Sequence, residues 1–191
     1  MVDSSKYLVL DVETNGLSAV RDDLLSISLY MPDKNKFYDR FLPLEKNSQI
    51  LTRDINGITK KMLKGKKPLS QNEVDTLVDE YEIEQRIILC YGGLDEKFIR
   101  KYFAEHDLSG IEKWNFFNFK HNIISSRFDA GIATKDNLCE FFNIEGVQDV
   151  HSGHNDCILE WKLFERLDNN SIFIICPYVF LFNKDYIVPA S

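Results

Sequence analysis

The 191-residue sequence predicts an α/β fold in which helices pack on the faces of a mixed β-sheet. Three β-prone runs separated by turn residues occupy the first forty-odd residues. After them, the apolar pattern alternates between short strands and amphipathic helices. Strands followed by this alternation are typical of a mixed sheet covered by helices.

The strands are predicted from β-prone runs and from alternation of apolar and polar residues. Residues 24–31 alternate, and the serines at 26 and 28 lie on the face opposite the apolar side chains. Turn residues, including Asn15 and Gly16, separate the first three runs and favour antiparallel pairing. We expect strands at 7–12, 24–31, 36–42, 86–91 and 114–119.

The helices are predicted from apolar spacing and from capping residues. Ser70 and Glu73 have the spacing of a capping box that opens a helix. Phe98, Ile99 and Tyr102 have the spacing of one apolar helix face. We expect helices at 52–63, 70–82, 95–106, 134–143 and 153–167.

Length and composition indicate one main domain, which we place at residues 1–170. Residues 171–191 are rich in Phe and Ile and predict a β-like extension, which would begin a further region if the chain is part of a longer protein. The apolar stretch 172–182 is too short to span a bilayer and contains Pro177, so we expect no membrane contact.

Cysteine usage and charge restrict the class of protein. The four cysteines form no CxxC pair, so we expect reduced, buried thiols in a cytoplasmic protein. The start of the chain has no signal-peptide pattern. A net charge of -7 argues against a large basic surface for duplex DNA, although acidic metal ligands would contribute to that charge.

Two carboxylates follow the first apolar run. Asp11 and Glu13 are two residues apart, so on a strand both side chains point to the same face. Adjacent carboxylates repel each other and usually have a cation nearby. The alternative is that both are solvated acids at a strand end.

Other ionisable residues lie near predicted helix starts. Asp95 follows a strand, where α/β sheets bind ligands, although the helix dipole alone also favours an acid there. His151 precedes the last helix and Asp156 lies in its first turns, so the imidazole and the carboxylate can approach one site. The alternative is an exposed histidine beside an ordinary helix N-terminal acid.

These residue types predict chemistry on a phosphodiester. Carboxylates without a clustered His/Cys set favour Mg²⁺ or Mn²⁺ over zinc. Two such ions can activate water and stabilise the departing oxygen of a phosphodiester. An unperturbed histidine has a pKa of about 6.5 and can take a proton from the attacking water near neutral pH.

The motifs together resemble the DEDDh family of 3'-5' exonucleases, which includes proofreading and ribonuclease T-like enzymes of the ribonuclease H-like superfamily. The resemblance covers about residues 6–168. It rests on Asp-Val-Glu-Thr-Asn-Gly-Leu at 11–17, Ile-Asn-Gly-Ile-Thr-Lys-Lys-Met-Leu at 55–63 and His-Ser-Gly-His-Asn-Asp-Cys at 151–157. The second motif departs from the family: Cys-Tyr-Gly-Gly-Leu-Asp at 90–95 keeps the aspartate but lacks the usual polar pair before it.

The resemblance implies a ribonuclease H-like fold, a mixed five-stranded sheet with helices on both faces. It also implies that four carboxylates hold two Mg²⁺ or Mn²⁺ ions, those of Asp11, Glu13, Asp95 and Asp156. His151 would activate the attacking water. The substrate would be a single-stranded DNA or RNA 3' end, and the product a nucleoside 5'-monophosphate.

The resemblance also implies substrate contacts after the first motif. Thr14 and Asn15 would lie against the 3'-terminal nucleotide, and Leu17 would wedge against its base, with a core role as the alternative. A lysine cluster at 60–67 could steer phosphates, and the alternative is a solvated helix end and loop. Phe116, Phe117 and Phe119 could stack on bases, although buried strand aromatics explain them better.

A second function remains open from the sequence. The unusual second motif and the apolar C-terminal stretch are compatible with a noncatalytic nucleic-acid-binding or partner-docking module of the same fold. A polymerase or repair partner, or an oligomer built through 172–182, is compatible with either function.

Overall fold

The structure is a computed structural model that describes residues 2–45, 49–125, 127–128, 133–145 and 153–168. Its strands are β1 (Tyr7–Thr14), β2 (Leu24–Met31), β3 (Lys36–Phe41), β4 (Ile87–Cys90) and β5 (Asn115–Asn118). Its α-helices are α1 (Arg53–Asn56), α2 (Lys60–Leu63), α3 (Gln71–Glu80), α4 (Gly93–Glu105), α5 (Lys135–Phe141) and α6 (Gly153–Asp168). The remaining helical turns are Ser4–Lys6, Ile83–Gln85, Ile111–Lys113 and the π-helix Lys120–Ile124.

The five strands form one mixed sheet in the order β3-β2-β1-β4-β5. The β1–β2 and β2–β3 pairs are antiparallel, and the β1–β4 and β4–β5 pairs are parallel. The strand β1 is therefore central. This arrangement confirms the predicted mixed five-stranded sheet.

Alternation along the central strands divides the core between the two faces of the sheet. One face carries a cluster that includes Leu8, Leu10, Ile88, Phe98 and Phe103. The other carries a cluster that includes Val9, Leu89, Phe119, Leu163 and Phe164. Because α4 supplies the first cluster and α6 the second, helices cover both faces, as predicted.

The segment predicted as one helix at 52–63 is two short helices. Gly57 has a left-handed φ of 66° and ends α1, and Thr59 is extended before α2 begins. A glycine adopts positive φ without the clash of a Cβ atom, which explains why the helix stops there. The predicted capping box is present: Ser70 and Glu73 cap each other at the start of α3.

The remaining fold predictions divide between described and undescribed residues. Cys90, Cys139 and Cys157 are buried free thiols, as expected, whereas Cys176 lies outside the described residues. The extension at 171–191 also lies outside them. Within the described ranges, none of the helices is both long and apolar enough to cross a membrane.

Candidate metal centre

Three carboxylates from opposite ends of the chain meet beside the central strand. Asp11 and Glu13 project from β1, and Asp156 projects from the first turn of α6. One carboxylate oxygen from each of the three lies within 4.8 Å of the others. Asp11 is 8% exposed and Asp156 is 5% exposed, so these acids are not solvated surface groups.

Gly153 allows α6 to start close to the sheet. A Cβ atom at this position would lie 1.9 Å from the Oγ atom and 2.7 Å from the Cβ atom of Ser28 on β2. The next turn of α6 docks on the same residue, because the Cys157 thiol lies 3.7 Å from the Ser28 carbonyl oxygen. Ser28 is the ladder partner of Asp11, so this contact brings Asp156 towards Asp11.

Asp95 approaches the same cluster from the first turn of α4. Burial raises the pKa of its carboxyl to about 7, and the charge of Glu160 adds to this effect. The charge of Asp95 in turn contributes to the raised pKa of Asp11. The three-residue group within 4.8 Å does not include Asp95, so its contribution as a metal ligand stays a prediction.

A lysine and a fifth acid also belong to the cluster, and neither was predicted from the sequence. The Nζ atom of Lys135 on α5 lies 2.6 Å from Glu160, 3.1 Å from Asp156 and 4.0 Å from Asp11. Glu160 lies one turn after Asp156 on α6 and is 1% exposed. The i,i+4 spacing of the two acids was a usable signal for Glu160. Lys135 gave none, since its position depends on how α5 packs.

The cluster carries more acid than the lysine can neutralise. Burial raises the pKa of Glu13 to about 7 and that of Asp11 well above its ordinary value. Burial opposes the charge on Lys135, but Glu160, Asp11 and Asp156 outweigh it and raise the lysine pKa. The ammonium therefore stays charged, and burial without a metal ion disfavours ionisation of Asp11 and Glu13.

The described residues fit divalent ions. The Oδ2 atom of Asp11 and the Oε2 atom of Glu160 are buried without a hydrogen-bond partner. A buried polar atom without a partner is costly, and such oxygens in native proteins often mark an ion or water. The donor set consists of carboxylate oxygens, which Mg²⁺ and Mn²⁺ prefer.

The side-chain amide of Asn56 on α1 contacts the end of β1. The Asn56 amide donates to the Thr14 carbonyl oxygen at 3.2 Å, and a hydrogen bond from Asn56 opposes the raised pKa of Glu13. The hydroxyl of Thr52 donates to the same Thr14 carbonyl. The asparagine in the middle motif therefore connects α1 to the acidic strand.

The predicted substrate contacts occupy different environments. The Thr14 hydroxyl donates to the Gly16 carbonyl at 2.6 Å, and the Asn15 side chain is 1% exposed and accepts from the Asp23 backbone at 2.7 Å. These two side chains shape the loop after β1. Leu17 is 73% exposed, so the alternative of a core role is wrong for it, and contact with a base stays a prediction.

The remaining predicted residues lie partly within the described ranges. His151 lies outside the described residues, so its role stays a prediction. The five lysines of the 60–67 segment are exposed. Phe119 is fully buried, which agrees with a core role rather than base stacking, and Phe116 and Phe117 are half-buried.

The chain is similar in sequence to part of the DNA polymerase III PolC-type proteins of streptococci. It is 29% identical over 116 residues to DNA polymerase III PolC-type of Streptococcus mutans, an alignment that covers 58% of this chain and 8% of the polymerase. It is 31% identical over 108 residues to the enzyme of Streptococcus pyogenes, covering 55% of this chain and 7% of that protein. The chain thus spans less than a tenth of these relatives. No family model matches it.

The chain is similar in structure to nucleases whose solved structures hold rAMP or an oligonucleotide. The nuclease domain of 3'hExo, a DEDDh family member bound to rAMP, has a TM-score of 0.67 at 14% identity, covering 85% of this chain and 92% of that domain. Exonuclease I of E. coli, in complex with a dT13 oligonucleotide, has a TM-score of 0.68 at 13% identity, covering 91% of this chain and 43% of that one. This chain therefore has the fold of the nuclease domain of a DEDDh family member.

Proposed function

We propose that this chain is a metal-dependent 3'-5' exonuclease that releases nucleoside 5'-monophosphates from single-stranded DNA or RNA ends. One observation carries the proposal. Asp11, Glu13 and Asp156 come together within 4.8 Å, and a buried oxygen of Asp11 has no hydrogen-bond partner. The shared fold with DEDDh and exonuclease I structures supports it.

In this proposal four carboxylates are metal ligands and a histidine is the general base. Asp11, Glu13, Asp95 and Asp156 would hold two Mg²⁺ or Mn²⁺ ions, which when bound supply Lewis-acid stabilisation of the phosphodiester oxygens. His151 would take the proton from the attacking water, as a general base with a pKa near neutrality. The buried carboxylates of β1 would fix the cluster, because a strand at the centre of the sheet has little freedom to shift.

The surface beside the carboxyl end of β1 suits the binding of single-stranded nucleic acid. Leu51 donates its backbone N–H to the Asn15 carbonyl at 3.0 Å, which places it next to the loop that carries Leu17. Leu17 is 73% exposed, Leu51 is 67% exposed and Ile55 is 58% exposed. Exposed apolar side chains next to a candidate active site suit contact with unstacked bases. Lys60 and Lys61 line a cleft of about 490 Å³ beside Leu51 and can attract the phosphates.

The direct test is release of mononucleotides from an end-labelled single strand with Mg²⁺ or Mn²⁺. We expect Asp156→Asn or His151→Ala to lower turnover at least ~100-fold, the lower range for a general base. His154→Ala is the matched control for the histidine: His154 is exposed, stacks on Phe37 at 3.7 Å and should be dispensable. Asp79→Asn, at an exposed position on α3, is the control for the acid.

Two results would contradict the proposal. Absence of mononucleotide release from both DNA and RNA, in either ion, would exclude the exonuclease. Full activity of His151→Ala would exclude the histidine as the base while leaving the nuclease in place. A panel of DNA and RNA strands of varied length, with paired and mismatched 3' ends, would then define the substrate.

A second function is a noncatalytic nucleic-acid-binding or partner-docking module of the same fold. The observation that favours it is the ammonium of Lys135, which lies 3.1 Å from Asp156 and 4.0 Å from Asp11, among the proposed ligands. Calorimetric titration distinguishes the two functions. If neither Mn²⁺ nor Mg²⁺ binds, with or without nucleotide, the module is favoured.

The likeness to PolC-type polymerases supports a polymerase assembly as the context of either function, and a repair partner stays a prediction. A proofreading context predicts faster removal of a mismatched 3' nucleotide than of a paired one. Equal rates on both ends would argue against that context.

A further inference from the structure

Lys135 places a positive charge among carboxylates that the proposed function assigns to divalent ions. Its Nζ atom is nearest to Glu160, at 2.6 Å, and lies 3.1 Å from Asp156 and 4.0 Å from Asp11. The lysine side chain is 23% exposed, and those of Glu160 and Asp156 are 2% and 7% exposed. The ammonium is therefore largely enclosed by the cluster.

The lysine and a divalent ion compete for the same negative charge. An ion that contacts Asp11 and Asp156 would lie within a few ångströms of the ammonium, and repulsion at that distance in a largely buried site is large compared with thermal energy. Movement of the lysine away from Asp11 and Asp156 would relieve this repulsion.

Glu160 provides the place to which the lysine can move. It already makes the shortest of the three contacts, and its Oε2 atom is buried without a hydrogen-bond partner. The ring of Tyr91 lies 5.4 Å from Nζ and adds a surface that favours a cation. A small shift towards these two groups would release Asp11 and Asp156 without leaving the ammonium unpaired.

We propose that Lys135 is a resident counter-cation of the metal centre. In the absence of divalent ions it offsets part of the negative charge of Asp11 and Asp156, and on metal binding it withdraws onto Glu160. The pair formed by Lys135 and Glu160 thereby sets the metal affinity of the site. This inference rests on the proposed function, because the competing ions are those of the proposed nuclease.

The proposal predicts that removing both residues and removing Glu160 alone change the metal affinity in opposite directions. Lys135→Met with Glu160→Leu removes the competitor and its anchor together, so the site should bind divalent ions more tightly. Glu160→Gln removes only the anchor, so the ammonium should stay on Asp11 and Asp156 and weaken metal binding. An ion pair with a purely structural role predicts no such reversal.

The test is Mn²⁺ binding to the full chain without nucleic acid, by calorimetry and by electron paramagnetic resonance. Compared with the unmodified chain, we expect the double variant to bind Mn²⁺ at least ~10-fold more tightly and Glu160→Gln to bind it at least ~3-fold more weakly, differences that correspond to ordinary single contacts. Lys120→Met is the matched control, because Lys120 lies 4.9 Å from the same Tyr91 ring but is assigned no part in the competition.

Thermal unfolding gives an independent readout. Without metal, the double variant should melt at a lower temperature than the Lys120→Met control, because Asp11 and Asp156 lose their counter-charge. Saturating Mn²⁺ should raise its melting temperature more than that of the unmodified chain. If the variant with Lys135→Met and Glu160→Leu does not fold, Lys135→Gln with Glu160→Gln makes the same test with neutral, hydrogen-bonding side chains.

The outcomes separate this inference from the proposed function. Mn²⁺ binding to the unmodified chain with no gain in the double variant would overturn the role of Lys135 and leave the nuclease proposal standing. Absence of Mn²⁺ binding in every variant would overturn this inference, and mononucleotide release with Mg²⁺ or Mn²⁺ would then decide the proposed function separately. Weaker Mn²⁺ binding in the double variant than in the unmodified chain would also overturn the role of Lys135 and would indicate that Glu160 is a metal ligand.

Discussion

Replacing Gly153 by alanine should separate α6 from the sheet and displace Asp156. The added Cβ atom would lie 1.9 Å from the Oγ atom and 2.7 Å from the Cβ atom of Ser28. The Oγ atom can rotate away if it gives up its 2.5 Å hydrogen bond to Asp39. The Ser28 Cβ atom cannot rotate away, because it is fixed to the backbone of β2.

The size of the effect follows from these distances. Carbon atoms in contact are about 3.5–4.0 Å apart, so the start of α6 must move by about 1 Å. Overpacking of this kind costs about 1–3 kcal/mol, and the lost Ser28–Asp39 hydrogen bond adds about 1 kcal/mol. We therefore expect the free energy of unfolding to fall by about 2–4 kcal/mol. Mn²⁺ affinity should fall with it, since Asp156 moves away from Asp11.

Urea unfolding and Mn²⁺ titration measure the two effects. Gly92→Ala is the control, because a Cβ atom there meets nothing within 4 Å and its φ of -137° suits alanine. Ser28→Gly should restore part of the stability lost in Gly153→Ala, although it weakens the unmodified chain. If Gly153→Ala keeps both the unfolding midpoint and the Mn²⁺ affinity, the close approach of α6 to β2 is refuted.

Two further predictions concern charge. Burial raises the pKa of Glu13 from 4.5 to about 7 and that of Asp95 from 3.8 to about 7, so the folded protein binds more protons than the unfolded chain between those pH values. The metal-free protein should therefore lose stability as the pH rises from about 4 to about 8. Saturating Mn²⁺ should remove that loss. Unfolding midpoints across this range, with and without Mn²⁺, check it, and a flat metal-free profile would contradict it. Arg86 is 3% exposed and binds Asp33 at 2.7 and 3.1 Å, so Arg86→Met should lower the free energy of unfolding by about 2–4 kcal/mol. Lys113→Met, which removes an exposed ion pair, should change the same urea measurement by less than ~1 kcal/mol.

The strands were predictable because their signal is local. Alternation and turn residues define β2 within the sequence, and the structure has it at Leu24–Met31, as predicted. The helix predicted at 52–63 divides because the left-handed conformation of Gly57 is a property of the backbone rather than of the apolar pattern. The order β3-β2-β1-β4-β5 is a tertiary property that was not predicted from the sequence, since the family resemblance implied only a mixed five-stranded sheet.

The acidic residues of the site were easier to predict than their neighbours. The period of a strand alone places Asp11 and Glu13 on one face. Lys135 reaches them because of the packing of α5 beside α6, which no spacing in the sequence specifies. The requirement for a glycine at 153 is also not specified by the sequence pattern, because it depends on the contact between α6 and β2.

Because β1 is the central strand, its carboxylates and the lysine on α5 should differ in local stability. Its backbone is hydrogen-bonded to β2 on one side and to β4 on the other, so its amides should be among the slowest to exchange with solvent. The helix α5 is seven residues long and should open more often. Amide exchange should therefore show Lys135 on a segment that fluctuates beside carboxylates that stay in place.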